Sequence, residues 1–524
     1  MSELLQTSLI WRVCAAIAAW YRRTPLKKAE RALVRLWMQS GFYRFFARLL
    51  TSAPITERSN YRRLLGRCND LLGRHGSFSE LLRTSLFGRV YVKVLACLQN
   101  SFLVGRIFAG GMTSILLCVI AAYFPIDWLL RDILKLSALS SIWDEALMLL
   151  CLLWIVYRRT AARPSMRTAA NPVDLWLGLY MLVGLVLLVF TESRLSVNIT
   201  GYRASMQYIL LFFLVTRLLQ NDRDFTVMYR LSVFIALAFA LHGIAQFVLG
   251  VEIPASWTDA AEGSVRTRAF SVFSNPNIFA GYMVLFAPMA IGAAYSSRDP
   301  ATKVVFWICG LCMCLACLFT MSRGAWLALA CAAVLFAMIV DRRLLLLMLV
   351  GGAASCLLPF VRSRIGYLFT PQFSASNARG GRAKRWATAL GYLDLLDAWP
   401  CGLGFGMFGG AVAANNPINP LFQYMYVDNY YVKTLTENGI IGLSTLCASM
   451  LGLVWNGLKA CARAERDTYK PLCAGMLAGL VGILVQSFFE SLWEEPYMMA
   501  LFFAVAGMLV YAGLLRKPTD ETAR

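Results

Sequence analysis

The residues best suited to chemistry in this 524-residue chain are arginines within one polar segment, residues 362–428. Arg379, Arg382 and Arg385 recur at every third position, so on a helix two or three of them would share one face. Each guanidinium group can donate two parallel hydrogen bonds to a phosphate. The spacing therefore predicts a site for a pyrophosphate-like anion.

Two further motifs can add to such a site. Arg268 precedes Asn275-Pro276-Asn277, a pattern that predicts an N-cap followed by proline in the first turn of a helix. A helix start within the membrane offers free N–H groups and a positive dipole end to a phosphate, but the pattern equally fits a kink whose amides are satisfied by neighbours. Arg323 lies near a tryptophan, as is typical of an interfacial anchor, and is also a candidate for the anion site.

The polar segment ends on carboxylates that are candidates for acid–base chemistry. Asp428, followed by Asn429 and Tyr430, fits either a base for a substrate hydroxyl or an Asx turn that orients the chain. Glu437 is a pocket candidate that can also pair with Lys433 one helical turn away, and we prefer the pairing. The chain's two histidines lie outside this segment, so carboxylates or positioned charge must serve here.

The 15 cysteines do not predict a metal site. Cys309, Cys312, Cys314 and Cys317 imitate a ligand spacing, but on a helix of about 100° per residue their thiols scatter around the circumference and cannot meet at one ion. Nearly all cysteines fall in apolar spans or in the N-terminal region, where they are expected to be small buried hydrophobes. We therefore expect neither a metal nor a cofactor.

Membrane-spanning helices are expected to position these motifs. With 59% hydrophobic and 15% charged residues, the composition excludes an ordinary water-soluble globule. Apolar runs of about 17 to 22 residues predict an all-α polytopic membrane protein. About twelve spans are predicted, at 108–124, 142–157, 173–190, 204–219, 231–249, 269–294, 304–320, 324–340, 344–361, 439–457, 472–489 and 497–514.

The distribution of basic residues predicts the orientation. Arginines and lysines after the second, fourth and tenth spans place those loops, and both termini, in the cytoplasm. The membrane domain, 108–514, then holds an extracytoplasmic loop with short helices at 362–438, and a cytoplasmic tail follows at 515–524. The loop is basic against the usual bias, which suggests an anionic ligand.

Residues 1–107 form a separate, strongly basic region. They include 18 Lys or Arg and five Asp or Glu, which gives a net charge of +13 out of the chain's +21. Apolar residues and arginines alternate at helical spacing, which favours cytoplasmic or interfacial helices on an anionic lipid leaflet. A partner enzyme could dock there instead, whereas nucleic acid is not an expected partner because the membrane explains the charge more simply.

Taken in order, these motifs resemble the O-antigen ligase and polymerase superfamily. The matching residues are Phe273-x-Asn275-Pro276-Asn277, Ser322-Arg323-Gly324-Ala325-Trp326, Arg382-x3-Trp386, the glycine run from Pro400 to Gly406, Asp428-Asn429-x-Tyr431 and Glu437-x-Gly439-Ile-x-Gly442-Leu443. The resemblance covers about residues 265 to 445. It implies a metal-independent, inverting glycosyltransferase of the bacterial cytoplasmic membrane. Its implied partners are an undecaprenyl-diphosphate-linked glycan donor, a glycan or lipid-anchored acceptor, and membrane lipids, in lipopolysaccharide or capsule synthesis.

The resemblance also implies roles for individual residues. Arg382 matches the family's loop arginine, which is expected to bind the donor diphosphate and stabilise it as it departs. The other donor-binding candidates are Arg268, Arg323, Arg379 and Arg385, and the substrate-pocket candidates are Asn275, Asn277, Asn429, Tyr430 and Glu437. Asp428, the second catalytic candidate, stands where many ligases have a histidine, so a lipopolysaccharide ligase in particular is not implied. Polymerase and ligase share this chemistry and differ in the acceptor.

A transporter of an anion or small solute is the alternative class. A transporter would place coupled ionisable residues near the bilayer midplane, often on paired broken helices. Candidates here are few, since Asp144 and Glu145 open the second span and His242 alone lies deep in the fifth. A non-catalytic scaffold is a third class, in which the outer arginines would be dispensable.

Overall fold

The computed structural model describes residues 111–161, 170–191, 194–253, 267–273, 275–379 and 381–516, with a few isolated residues between 39 and 96. Over these ranges the protein is α-helical, and the only β-type pairing among them is an isolated bridge between Glu252 and Thr267. The all-α class is therefore confirmed. The interfacial helices predicted in 1–107 and most of the predicted tail lie outside the described residues.

The helices follow one another along the chain with short connections. In order they are α1 (Met112–Ala121), α2 (Tyr123–Trp128), α3 (Ser137–Ser140), α4 (Trp143–Ala161), α5 (Pro172–Phe190), α6 (Leu195–Met206), α7 (Leu210–Leu218), α8 (Asp222–Val248), α9 (Pro276–Ser296), α10 (Pro300–Phe319), α11 (Arg323–Ile339), α12 (Arg343–Ser355), α13 (Pro359–Tyr367), α14 (Pro371–Arg379), α15 (Arg382–Leu395), α16 (Gly410–Ala414), α17 (Pro420–Gln423), α18 (Tyr430–Arg463), α19 (Tyr469–Gln486) and α20 (Pro496–Val510). Each predicted apolar span, in its described part, falls mainly on helix.

Within the described ranges, seven helices are long and apolar enough to cross a membrane: α5, α8, α9, α10, α18, α19 and α20 with its extension to Leu515. The number rises to nine if two bent pairs each count as one span, namely α1 with Tyr123–Ile133, bent by 73°, and α12 with α13, bent by 89°. The predicted count of twelve is not confirmed. Helix α11 has only 17 residues, α4 includes two acidic and two basic residues, and the predicted span 204–219 is divided by a 3-10 turn between α6 and α7.

Helix α9 forms the centre of the bundle, and 89% of the residues in its most apolar stretch are buried inside the protein. It packs against α8, α10, α11 and α19. Helix α19 approaches closely because it presents glycines four residues apart, a small-xxx-small pattern. A Cβ on Gly475 would lie 2.5 Å from the carbonyl oxygen of Pro288, and one on Gly479 would lie 2.2 Å from that of Leu285. Outer helices such as α5 and α10 instead expose leucine and valine, as lipid-facing surfaces do.

The predicted helix start at Asn275 is confirmed. The Asn275 side chain accepts a hydrogen bond from the N–H of Asn277 at 2.7 Å, and Pro276 is the first helical residue. The span predicted from residue 269 therefore begins later. The chain before it is held by a hydrogen bond from the N–H of Ala269 to the carbonyl of Phe319, at 2.9 Å.

The polar segment folds into short helices, α13 to α17, that lead into α18. Helix α18 is interrupted at Gly439, whose φ of 62° is not helical, so its first nine residues form a separate arm. The preceding glycine run packs directly on this arm, where the N–H of Gly404 donates to the carbonyl of Glu437 at 2.8 Å. Gly402 has a φ of +75°, and a Cβ there would lie 2.4 Å from the backbone nitrogen of Asn438. Glycine at this position permits the contact that fixes the end of the segment.

Candidate functional site

Four helices begin around the predicted arginines. Helices α9, α11, α15 and α18 start at Pro276, Arg323, Arg382 and Tyr430. Hydrogen bonds and charge interactions connect residues near these helix starts. Because a helix N-terminus has a positive dipole end, the four starts favour an anion between them.

Asp428 lies between two of the predicted arginines. Its Oδ2 accepts a hydrogen bond from Nη2 of Arg385 at 2.6 Å and lies 3.4 Å from Nε of Arg382. Nη1 of Arg385 donates to the carbonyl of Tyr426 at 2.7 Å, so both terminal nitrogens of this guanidinium group have a partner. Arg382 makes no hydrogen bond to any residue within the described ranges, and its side chain is 39% exposed. Of the two arginines beside Asp428, Arg382 thus has more donor capacity left for a ligand.

A buried carboxylate, Glu490, connects the long polar segment to α9. Its Oε1 accepts from the hydroxyl of Tyr426 at 2.9 Å, and its Oε2 accepts from Nδ2 of Asn277 at 2.7 Å. Burial raises the pKa of Glu490, and the charge of Asp428 raises it further, whereas the two hydrogen bonds and the charge of Arg382 oppose the rise. Glu490 is not among the site residues predicted from the sequence.

Arg268 completes the connection from the other side of Asn277. Its Nη2 donates to Oδ1 of Asn277 at 2.9 Å, and its Nε donates to the carbonyl of Thr320 at 2.8 Å. Only 5% of Arg268 is exposed. Burial lowers the pKa of Arg268 to about 10, and the charges of Arg323 and Arg382 lower it as well, although Glu490 raises it. Three of the predicted arginines therefore act on one another electrostatically.

Two aromatic rings contact Arg323. Its guanidinium carbon lies 5.5 Å from the ring centre of Tyr367 and 5.6 Å from that of Phe373, which is cation–π geometry. Its Nη1 lies 3.5 Å from the carbonyl of Arg364. Arg379 ends α14, and its side chain lies outside the described part of the structure.

The five predicted pocket residues separate into three groups. Asn275 and Asn429 are N-caps, since Oδ1 of Asn429 accepts from the N–H groups of Tyr431 and Val432 at 2.9 and 3.1 Å. Both have their acceptor oxygens occupied by backbone, as a cap does. Asn277 joins Arg268 to Glu490, whereas Tyr430 and Glu437 line a separate cavity.

This cavity has a volume of about 640 Å³ and adjoins the arginine cluster at Tyr426, which belongs to both. Its ionisable wall residues are Lys433, Glu437, Glu494 and Glu495. The predicted pairing of Lys433 with Glu437 is present at 4.0 Å, but Lys433 lies closer to Glu494, at 2.9 Å. An acidic cavity thus lies beside a basic cluster.

The short connection between α19 and α20 supplies the residues that sequence reasoning missed. It contributes Glu490 to the arginine cluster and Glu494 and Glu495 to the cavity. The sequence shows three carboxylates between two apolar spans, and this pattern could have indicated a functional site because ionisable groups beside a membrane need partners. Within the described ranges, including this connection, no group of three or more histidine, cysteine, aspartate or glutamate residues could hold a metal ion.

A protein-family model matches part of the chain. Residues 308–447 match a family model described as O-antigen ligase. The matched interval runs from α10 into α18 and includes Arg323, Arg382, Arg385, Asp428 and Glu437. No match was found among curated proteins.

Proposed function

We propose that this chain, whose residues 308–447 match the O-antigen ligase family model, transfers a glycan from an undecaprenyl-diphosphate carrier onto a glycan or lipid-anchored acceptor. Ligases of this family are glycosyltransferase-like enzymes, and the apolar helices make the chain a multi-pass membrane protein. We place the reaction at the outer face of the bacterial cytoplasmic membrane, with both termini in the cytoplasm, because the basic loops predict that orientation.

The convergence of Arg268, Arg323, Arg382 and Arg385 carries this proposal. They come from three separate stretches of the chain, and only Asp428 and Glu490 oppose their charge in the contacts described above. Guanidinium groups bind phosphate oxygens in a forked geometry, so such a cluster fits the diphosphate of a lipid carrier. The helix starts around the cluster add further positive potential.

The proposed step is a displacement at the anomeric carbon of the donor glycan. A hydroxyl oxygen of the acceptor forms the new bond to that carbon as the bond to the phosphate oxygen breaks. Attack from the face opposite the diphosphate inverts the configuration. The arginines offset the charge that develops on the departing undecaprenyl diphosphate, and guanidinium groups rather than a metal ion supply this charge. The acceptor's proton passes to a carboxylate or to water.

Asp428 fits a positioning role better than that of the proton acceptor. Its carboxylate is already bonded to Arg385 and lies beside Arg382. Both contacts are made by Oδ2, so a single oxygen of this carboxylate holds the two guanidinium groups in place. We therefore propose that Asp428 acts through the arginines.

The transporter alternative is not favoured. The ionisable residues within the spans have local partners, as structural residues do. Asp144 accepts a hydrogen bond from the hydroxyl of Tyr208 at 2.7 Å, and Glu145 forms an ion pair with Arg203. His242 Nδ1 lies 3.0 Å from the hydroxyl of Ser271, which fits a packing role for a lone histidine.

Deletion and complementation provide the test in cells. In a deletion strain we expect a lipid-linked glycan to accumulate, and the wild-type gene should clear it. Arg382→Ala should fail to clear it at normal protein level. Lys384→Ala is the matched control, because Lys384 is an exposed cation on the same helix, and it should complement fully. A fully active Arg382→Ala protein would contradict the proposal.

The accumulated species also separates the two forms of the reaction. Single lipid-linked repeats would identify a polymerase, because chain extension would then be the missing step. Long lipid-linked chains would identify a ligase, because attachment to the acceptor would then be missing.

A further inference from the structure

The cavity beside the arginine cluster has the opposite charge from the cluster itself. One lysine, Lys433, faces three glutamates, Glu437, Glu494 and Glu495, in its wall. Lys433 is paired to Glu494 at 2.9 Å, so its charge is compensated locally. A diphosphate or a carboxylate-bearing ligand entering this space would meet like charge, which is unfavourable in a partly dry site. The cavity therefore suits a ligand without negative charge.

The wall of the cavity also has unmet hydrogen-bonding capacity. The Oδ1 of Asn438, the Oγ of Ser491 and the Nε1 of Trp493 are buried and have no hydrogen-bond partner among the described residues. Their residues are 4%, 1% and 3% exposed, and all three line the cavity. An unpartnered buried polar atom costs about 1–3 kcal/mol. These atoms, which include both donors and acceptors, would gain partners from a ligand with several hydroxyl groups.

Aromatic rings form another part of the wall. Tyr430 and Trp493 pack edge to face with ring centres 5.0 Å apart, and Tyr426 separates the cavity from Arg385. Pockets that combine aromatic surface with a few converging polar groups are typical of specific small-ligand sites, whose volumes run from about 300 to 1,000 Å³. The 640 Å³ of this cavity lies within that range.

We propose that this cavity binds a sugar unit of the acceptor glycan, and that it selects an uncharged or amine-bearing sugar over an anionic one. This inference rests on the proposed glycan transfer. It assigns the two substrates to adjoining sites of opposite charge, with the donor diphosphate at the arginines and the acceptor sugar among the glutamates. Ser491 follows Glu490 directly in the chain, so the two sites share one short connection.

The test measures binding of simple sugars to the full-length protein in detergent micelles or nanodiscs by saturation-transfer NMR. The probes are methyl glucoside, glucosamine and glucuronic acid, which have similar rings and differ in charge. We expect saturation transfer to the neutral and amine sugars and at least a tenfold weaker effect on glucuronic acid, which corresponds to about 1.4 kcal/mol. Equal or stronger binding of glucuronic acid, or no binding of any of the three sugars, would overturn the proposal.

Two variants separate the cavity from the rest of the protein. Glu494→Gln removes one negative charge and should reduce the discrimination against glucuronic acid. Ala411→Trp should abolish binding of all three sugars by filling the space, because Ala411 is an exposed residue at the edge of the cavity and its replacement leaves the core intact. Melting temperatures of both variants confirm folding. Sugar binding that survives Ala411→Trp would place the sugars elsewhere and would contradict the assignment.

A parallel measurement with inorganic pyrophosphate distinguishes this proposal from the transfer reaction. Arg382→Ala should weaken pyrophosphate binding and leave sugar binding unchanged, because Arg382 makes no contact with the cavity wall in the described ranges, whereas Ala411→Trp should do the reverse. If pyrophosphate does not bind but the sugars do, the proposed donor site is wrong and the cavity assignment stands as a sugar site. If pyrophosphate binds and the sugars do not, only the cavity assignment is wrong.

Discussion

Replacing Asn277 by alanine is expected to destabilise the folded protein by about 2–4 kcal/mol, because two charged groups lose their shared partner. Asn277 accepts from Arg268 at 2.9 Å and donates to Glu490 at 2.7 Å. Those residues are 5% and 2% exposed, so water does not readily replace the lost bonds. A hydrogen bond to a charged group contributes about 1.5–3 kcal/mol. The expected loss is smaller than the sum of two such bonds, because each charged group retains another partner. Arg268 still donates to the carbonyl of Thr320, Glu490 still accepts from the hydroxyl of Tyr426, and the opposite charges of Arg268 and Glu490 attract each other.

Asn275→Ala is the matched control for this change. Asn275 lies two residues earlier, is the same residue type, and makes one capping bond to the N–H of Asn277. Loss of an N-cap bond costs about 1 kcal/mol. Unfolding of both variants by sodium dodecyl sulfate in mixed micelles gives the comparison, with pyrophosphate affinity as the second readout.

We expect Asn277→Ala to be the more damaging variant by at least about 1 kcal/mol and to weaken pyrophosphate binding, because it releases Arg268. Equal destabilisation by the two variants would refute the reasoning, because it would mean that Asn277 contributes nothing beyond helix capping. Unchanged pyrophosphate affinity in Asn277→Ala would refute the link between Arg268 and the anion.

Three other changes test separate parts of the site and the fold. Because the pKa of Glu490 is raised above its ordinary value, this carboxyl group becomes charged at a higher pH than an exposed glutamate does. Wild-type affinity for pyrophosphate, measured by calorimetry, should therefore fall with rising pH relative to that of Glu490→Gln. A ratio that does not change with pH would contradict this. Asp428→Asn should lower kcat by less than about tenfold in a transfer assay, since loss of a general base costs about 10²–10⁴, and a loss in that larger range would identify Asp428 as the base. Gly479→Ala should destabilise the folded protein by about 1–3 kcal/mol, because the new Cβ would lie 2.2 Å from the carbonyl oxygen of Leu285. Gly178→Ala is the control and should not destabilise the protein, because a Cβ there meets open space. Equal melting temperatures of the two variants would argue against the close packing of α9 and α19.

The helical scaffold could be predicted because its signal is local. Long apolar runs report burial in lipid or protein whatever surrounds them, so nearly every predicted span falls on helix. The start of α9 was also predictable, since Asn275 and Pro276 specify a cap and a first turn without any distant partner. The number of membrane crossings could not be predicted from the sequence, because bends such as the 89° break between α12 and α13 depend on packing rather than on hydropathy.

The candidate site was predictable only in part. Arginine spacing and motif order predicted Arg382 and Arg385 as members of an anion site, and the structure places both of them beside Asp428. The contribution of Glu490 could not be derived, because its contact with Asn277 joins residues 213 positions apart in the chain. Prediction of that contact requires knowing that α9 and α19 pack together, which depends on shape complementarity between glycines and backbone.

Turnover by the purified protein tests the central claim most directly. The protein would be reconstituted in liposomes with an undecaprenyl-diphosphate-linked glycan and the acceptor glycan, and release of undecaprenyl diphosphate would be measured. We expect the wild type and Lys384→Ala to release it with matching glycan transfer, and Arg382→Ala to be slower by at least about a hundredfold, as for loss of a charge that stabilises a leaving group. Release by Arg382→Ala at the wild-type rate, or a folded wild-type protein that releases none, would contradict the proposed reaction.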